Sequence, residues 1–341
     1  MSANGIVTSG LEKGKGAIIV EDRHLSKVVS LFSLLVIVVA IAARIQIIDL
    51  PLERDEGEYA YAGQLILQGL PPYGEAANMK MPGIYYGYAV IMSLFGQTIR
   101  GIHLGLILVN IVTVLFIGLI GCRLLGKWAG WISAAAFAVF TVDPSLLGMT
   151  ANAEHFIILP VVAGLYVLIV WSEKMRLWQL AIGAFFIGSG FIVKQHGAPF
   201  ILLGFATMLS GLWLRRKELS GRKVVTSVVV FCGCAVAPFL TICAIMMAQG
   251  VFSDFWFWTF GYSRHYVGQV GLRDGMIALN TTVSSIVHSM PTIIGMAAVG
   301  FLLLAKKRHA FHTRVLLAAL FLISFVTVCP GLYFRQHYFI T

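Results

Sequence analysis

Acidic charge is the scarcest chemistry in this chain: 15 Asp and Glu in 341 residues, beside 25 Lys and Arg. Charged residues make up 12% of the sequence and hydrophobic ones 58%, with a mean hydropathy of +0.86. Soluble domains carry about 25% charged residues, so this composition excludes an ordinary soluble fold and predicts an integral membrane protein. Strand-length segments alternating apolar and polar are also missing. The apolar runs lie near 20 residues, which predicts membrane helices rather than a barrel. The five cysteines (Cys122, Cys232, Cys234, Cys243 and Cys329) have no metal spacing, and Cys232-Gly-Cys234 is not a CxxC; they read as small buried hydrophobes. There is no Walker loop, no GxSxG, and no GxGxxG after a strand. The histidines at 24, 103, 265, 288, 309, 312 and 337 form neither HxxxH nor HExxH. No cofactor and no metal are expected.

What is present is a series of long apolar runs. A polar tail is expected over 1–25, followed by nine spans near 26–48, 101–121, 128–148, 155–171, 177–193, 197–214, 224–249, 283–305 and 315–334. Ala40-Ile41-Ala42 resembles a signal-peptidase site, but the run continues to Ile48, so the first span is read as retained. Basic residues divide unevenly between the two sets of loops. One set holds Lys13, Lys15, Arg23, Lys27, Arg123, Lys127, Lys174, Arg176, Arg215, Arg216, Lys217, Arg222, Lys223, Lys306, Lys307, Arg308 and Arg314. The other holds Arg54, Lys80, Arg100, Lys194, Arg264, Arg273 and Arg335, while Arg44 falls inside the first span. The richer set marks the cytoplasmic side, with the N-terminus inside. The net charge of +10 is thereby explained by loops rather than by nucleic-acid binding. Gly83 to Ile99 could form a tenth span, but it is short, its face carries Tyr85, Tyr86, Tyr88 and Gln97, and a crossing there would turn the basic loop Arg215 to Lys223 outward; it is therefore read as an interfacial helix along the outer surface.

This topology gathers three polar clusters on the outer side: Arg54 to Lys80, Asn152 to His155, and Lys194 to His196. A fourth outer segment, Phe252 to Tyr266, is rich in aromatic residues. Convergence of separate loops is what a site requires. Asp55 has two compatible readings. One is an N-cap, with Glu58 at N3 of a helix over 56–69 that buries Tyr59, Ala62, Leu65 and Ile66 and stops at Pro71-Pro72. The other is a partly desolvated carboxylate with a raised pKa, suited to accept a proton. Lys80, in Met79-Lys80-Met81-Pro82-Gly83, either snorkels to lipid headgroups or serves as a cation for phosphate. Asn152 reads as an N-cap, while Glu154 and His155 sit at a span entrance where burial is costly. Lys194-Gln195-His196 is a polar hairpin tip or a second phosphate-binding element.

The segments RDEGEYAYAGQLILQGLPPY, KMPGIYY, RGIHLGLILVNIVTVLFIGLIGCRLLG, ANAEHF, FIVKQHGAPF and RQHYFI together resemble the GT-C superfamily of lipid-dependent glycosyltransferases. The nearest branch is the bacterial relatives of protein O-mannosyltransferases and aminoarabinose transferase, of family 39 or 83 type. The resemblance covers about residues 30–341. It implies an all-α polytopic bundle in the plasma (inner) membrane, moving a sugar from a polyprenyl-phosphate donor to an acceptor hydroxyl with inversion and without a metal. It makes Asp55 the base and Glu154 the second acidic residue of the catalytic site. Lys80 and Lys194, with His196, would hold phosphate; Glu56, Tyr59 and His155 count with the substrate-binding residues. The acceptor, a lipid, glycan or protein, is left open. Two departures stand out: Glu58 occupies a neighbourhood where relatives carry a basic residue, and relatives continue past RQHYFI, so a chain cut short is expected. The alternatives are a flippase or transporter of a lipid-linked precursor, or an inactive relative acting as an assembly partner.

Overall fold

The computed structural model describes residues 8–76, 78–305 and 311–341, and every regular element among them is helical. The helices are α1 (Thr8–Gln46), α2 (Arg54–Leu67), α3 (Gly83–Phe95), α4 (Ile99–Leu125), α5 (Lys127–Phe140), α6 (Ala153–Lys174) and α7 (Leu177–Val193). They continue with α8 (Ala198–Leu214), α9 (Gly221–Ala248), α10 (Phe252–Trp256), α11 (Ser263–Val267), α12 (Leu272–Ser289), α13 (Pro291–Ala305) and α14 (Phe311–Val328). Residues 8–25, read as tail, continue into α1 as helix. The first seven residues of that tail, with Lys306, Lys307 and Arg308, lie outside the described residues.

The chain is a multi-pass membrane helix bundle. By length and composition six helices can cross a membrane, or seven if one bent pair counts as a single span. Nine spans were expected; among the described residues six or seven reach full span length, and the others are shorter or broken. The expected span at 128–148 yields only α5, whose 14 residues reach about 21 Å against a hydrocarbon core of about 30 Å. Pro144 follows closely and pushes Asp143 into extended backbone, and a short 3₁₀ turn begins instead. The expected span at 283–305 is broken at Met290, before Pro291, where α12 and α13 meet at 100°. α7 is an apolar helix of 17 residues and stays below span length by the same measure.

α6 is the axis of the core, packed against α4, α7 and α8. Ile157, Val161, Leu165, Leu168 and Trp171 run down its buried face at 0–1% exposure. α7 meets α9 backbone to backbone: a Cβ on Gly188 would fall 2.0 Å from the Ala235 carbonyl oxygen. Small residues allow such approach in membrane bundles, where dispersion rather than the hydrophobic effect holds helices together. Cys232 is exposed and the other four cysteines are half-buried, all as free thiols, so the expected burial is partial for those four and fails for Cys232.

α2 and α3 form a helical pair beside this core. The start of α2 differs from the expected one. Glu53, not Asp55, is the N-cap, and it accepts from the Asp55 N–H while Glu56 at N3 accepts from the Glu53 N–H. This capping box leaves the Asp55 carboxylate free for other partners. α3 was expected at a surface with its tyrosines among headgroups. Instead Tyr85 and Tyr88 are buried at 1% and 0% exposure against Tyr59 of α2, because the aromatic faces of the two helices pack on each other. Gly83 matters here, since a Cβ would sit 2.4 Å from the Ile192 carbonyl oxygen near the end of α7. That contact brings the Lys80 loop beside Lys194.

Candidate functional site

Three segments remote in sequence meet at one end of the bundle: the start of α2 with its following loop, the start of α6, and the α7–α8 connection. The opposite end collects residues of the other loop set. Arg123, Glu173, Arg215, Glu218 and His312 line a cavity of about 470 Å³ there. The two sets of loops inferred from charge are thus segregated along the bundle.

Asp55 is 3% exposed, and both its oxygens are engaged. Oδ1 accepts from Arg54 Nε at 3.1 Å and Nη2 at 2.8 Å, while Oδ2 accepts from Lys80 Nζ at 3.2 Å and from the Tyr59 hydroxyl at 3.5 Å. Burial works to raise this carboxyl's pKa, but the Lys80 ammonium and the Arg54 guanidinium outweigh it and hold the group well below the usual carboxylate range. The expected upward shift is therefore reversed. Desolvation alone would have produced it; Arg54 is the sequence neighbour, but the pairing with Lys80, 25 residues on, was not visible there. Glu58 moves the other way: burial lifts it, Lys80 opposes, and the neighbouring Asp55 charge adds to the rise.

Lys80 does not snorkel. It is 8% exposed, its ammonium 5.8 Å from the Tyr59 ring centroid. Its backbone is fixed from two sides. The Tyr73 hydroxyl donates to the Lys80 carbonyl at 2.7 Å, and Gln195 Nε2 donates to the Met79 carbonyl at 2.7 Å. Gln195 also donates to Thr259 O at 3.0 Å, within a π-helical turn over Phe257–Tyr262. That turn interrupts the aromatic outer segment noted in the sequence, and such turns favour functional sites.

Glu154 and Lys194 form a second buried ion pair, at 1% and 3% exposure. Lys194 also lies 4.3 Å from the Tyr338 ring centroid. The His196 ring meets Tyr338 edge-on at 4.6 Å, and His337 does so at 4.9 Å. Glu154 lies within electrostatic reach of Tyr59, and His337 within reach of Glu154, Lys194, Asp55 and Lys80. Asp55, Lys80, Glu154 and Lys194 therefore occupy one neighbourhood. Among the described residues, neither ring nitrogen of His337 nor Glu154 Oε2 has a hydrogen-bond partner. Burial lowers the His337 pKa to about 4, against the pull of Glu154. Burial also pushes the Tyr338 phenol up to about 12, leaving it a neutral donor.

Other expected residues take different places. Glu56, 0% exposed, accepts from the Glu53 and Ala151 backbone N–H groups and faces His103 Nε2 at 3.2 Å. Its oxygens are thus committed to tying α2 to the strand of chain before α6. Tyr59 is a core aromatic whose hydroxyl reaches the Asp55 carboxylate. His155 is buried at 1% exposure with Arg44, Glu154 and His337 in electrostatic reach. Asn152 stands at the N-cap position of α6, but its side chain donates to Thr150 Oγ1 at 2.6 Å rather than capping.

Arg54, Gln195, His337 and Arg335 were not singled out in the sequence as site residues. The last two belong to RQHYFI, so the signal was there in the motif and not in any ligand spacing. Arg335 is half-buried, donates to the Tyr266 hydroxyl at 3.1 Å, and has no carboxylate partner among the described residues. Among the described residues no group of three or more His, Cys, Asp or Glu could hold a metal ion.

Residues 79–242, a little under half of the chain, match the model of a family described as dolichyl-phosphate-mannose-protein mannosyltransferase. The match supports a membrane glycosyltransferase of the GT-C type. No curated protein matches the chain, and no solved structure matches it.

Proposed function

We propose that this protein moves a sugar from a polyprenyl-phosphate donor to an acceptor hydroxyl, with inversion, on the outer face of the membrane in which its N-terminus is cytoplasmic. The observation that carries the reading is the convergence of the Asp55–Lys80 and Glu154–Lys194 pairs at one end of the bundle, with Lys80, Glu154 and Lys194 inside the family-matched region and Asp55 upstream of it. The charge asymmetry of the loops supports the outer face.

The acceptor oxygen attacks the anomeric carbon as Asp55 takes its proton, and the bond from that carbon to the phosphate oxygen breaks. The electron pair leaves with the phosphate, which gains negative charge. Lys80 and Lys194 are suited to carry that charge, and Arg335, a cation without a carboxylate partner among the described residues, is suited to join them. Direct displacement inverts the anomeric centre. Tyr338 and His196 line the approach to Lys194, and Glu154 fixes the lysine in place.

Membranes containing the protein, incubated with labelled polyprenyl-phosphate sugars, are expected to transfer label to an acceptor. Asp55→Asn is expected to lower transfer more than about 100-fold while membrane insertion is unchanged. Transfer by that variant at the wild-type rate rejects Asp55 as the base.

A further inference from the structure

The resting arrangement poses a chemical problem for the proposed base. Every described polar contact of the Asp55 oxygens is with a cation or a phenol, so no lone pair is presented to an incoming hydroxyl. The two cations differ. Arg54 forks one oxygen from an exposed position, its side chain 66% exposed. Lys80 is the one described cation on the other oxygen, which the Tyr59 hydroxyl also reaches, and it acts from a buried position at the end of a flexible four-carbon stem whose backbone is clamped by Tyr73 and Gln195.

We propose that Lys80 is shared between Asp55 and the donor phosphate: the arriving phosphate draws the ammonium off Oδ2, freeing that oxygen for the acceptor hydroxyl, while Arg54 stays on Oδ1 as a positioning residue. The inference rests on the transferase reading and deepens it. It makes base strength depend on donor occupancy, so the carboxylate is quenched while the site is empty and becomes competent only when a phosphate is bound. After transfer the proton resides on Oδ2. The groups facing Asp55 are Arg54 and Tyr59 of its own helix, Lys80 of the following loop, Tyr85 and Tyr88 of α3, Glu58 one turn on, and His337 from the C-terminal segment. Of these only Lys80 is at once cationic, bonded to Oδ2 and placed on a loop.

Coupling of this kind is reciprocal: if phosphate loosens the hold of Asp55 on Lys80, removing the Asp55 charge must tighten phosphate binding. The full chain in detergent is titrated with a short-chain polyprenyl phosphate and with the matching polyprenol. Asp55→Asn is expected to bind the phosphate at least about fivefold more tightly than wild type, with polyprenol binding unchanged. Lys80→Met is expected to weaken phosphate binding and to abolish the gain when combined with Asp55→Asn. Unchanged or weaker phosphate binding by Asp55→Asn overturns the proposal, as does the same gain in the Lys80→Met background. A second measurement uses wild type alone. The acid limb of kcat, from donor-bound protein, is expected at higher pH than that of kcat/KM for the donor, from free protein. Coincident limbs overturn the proposal. Should the binding gain appear while wild type transfers no sugar, the enzymatic reading fails and the shared lysine stands.

Discussion

The guanidinium of Arg44 donates to the main-chain carbonyl of Thr141 at 2.5 Å, joining the first span to the end of α5. The same nitrogen donates to Gly148 O at 3.0 Å and reaches Asn110 Oδ1 at 3.4 Å, and Arg44 is 5% exposed. A helix that stops after 14 residues leaves carbonyls unpaired at its C-terminus. Arg44 supplies a donor for one of them, the Thr141 carbonyl, and the negative end of the helix dipole favours its charge. The loop it holds leads directly to Ala151, Asn152 and Glu154. Arg44→Met is expected to destabilise the protein by about 1–3 kcal/mol, the cost of buried acceptors left without a donor. Thermal unfolding in detergent checks this, and Arg44→Lys should recover part of the loss.

The Glu154–Lys194 pair predicts non-additive mutations. Breaking a buried pair leaves an uncompensated charge, which costs about 3–5 kcal/mol, whereas removing both charges costs much less. Glu154→Gln and Lys194→Met are each expected to lower the unfolding temperature sharply. The double variant should be more stable than either single one. Equal, additive losses would mean that the two side chains do not share a buried contact.

Much of this arrangement was legible in the sequence, and the gaps have physical causes. Hydropathy located the helices, because apolar runs of that length have one stable form in a bilayer. It could not show where α5 stops or that α12 and α13 meet at 100°, since Pro144 and Pro291 act through local backbone geometry that hydropathy averages away. Asp55, Lys80, Glu154 and Lys194 were named from their position at span entrances, where charge is costly. Their pairing was not legible, because Asp55 and Lys80 are joined by a loop whose path is set by Tyr73 and Gln195. The box at Glu53 and Glu56 was missed in favour of Asp55 and Glu58: both spacings satisfy the same pattern, and only the backbone at Glu53 decides between them.

Glu56 separates support from chemistry. Its oxygens hold two backbone N–H groups and His103, so Glu56→Ala orphans several buried donors at once. Loss of folded protein by about 2–4 kcal/mol is expected, together with loss of transfer, whereas the protein that remains folded in Asp55→Asn should have lost transfer far out of proportion to its loss of stability. Size-exclusion profiles measured beside transfer rates distinguish the two. A Glu56→Ala protein with normal stability and no activity would instead make Glu56 a substrate contact.

Glu58 is the competing carboxylate. Its pKa is raised by burial while that of Asp55 is held low, so in the resting site Glu58 is intrinsically the better proton acceptor. Geometry favours Asp55, whose Oδ2 faces Lys80, whereas Glu58 Oε1 accepts from the Tyr85 hydroxyl at 3.4 Å. Glu58→Gln is expected to reduce transfer less than about tenfold, against more than about 100-fold for Asp55→Asn. The reverse order of losses assigns the proton to Glu58.

His337 makes stability depend on pH in a defined window. Its folded pKa is lowered by burial to about 4 from an ordinary value of 6.5, so between these values the unfolded chain binds more protons than the folded one. Stability therefore rises with pH across that window. The contribution is complete above about 6.5 and is lost as pH falls toward 4. The unfolding temperature in detergent should fall over this range, and part of the fall should vanish in His337→Asn, which cannot take up the proton. Loss of the slope without loss of the protein at pH 7 identifies a buried neutral imidazole; an unaltered slope shows that His337 is charged or accessible to solvent in the folded chain.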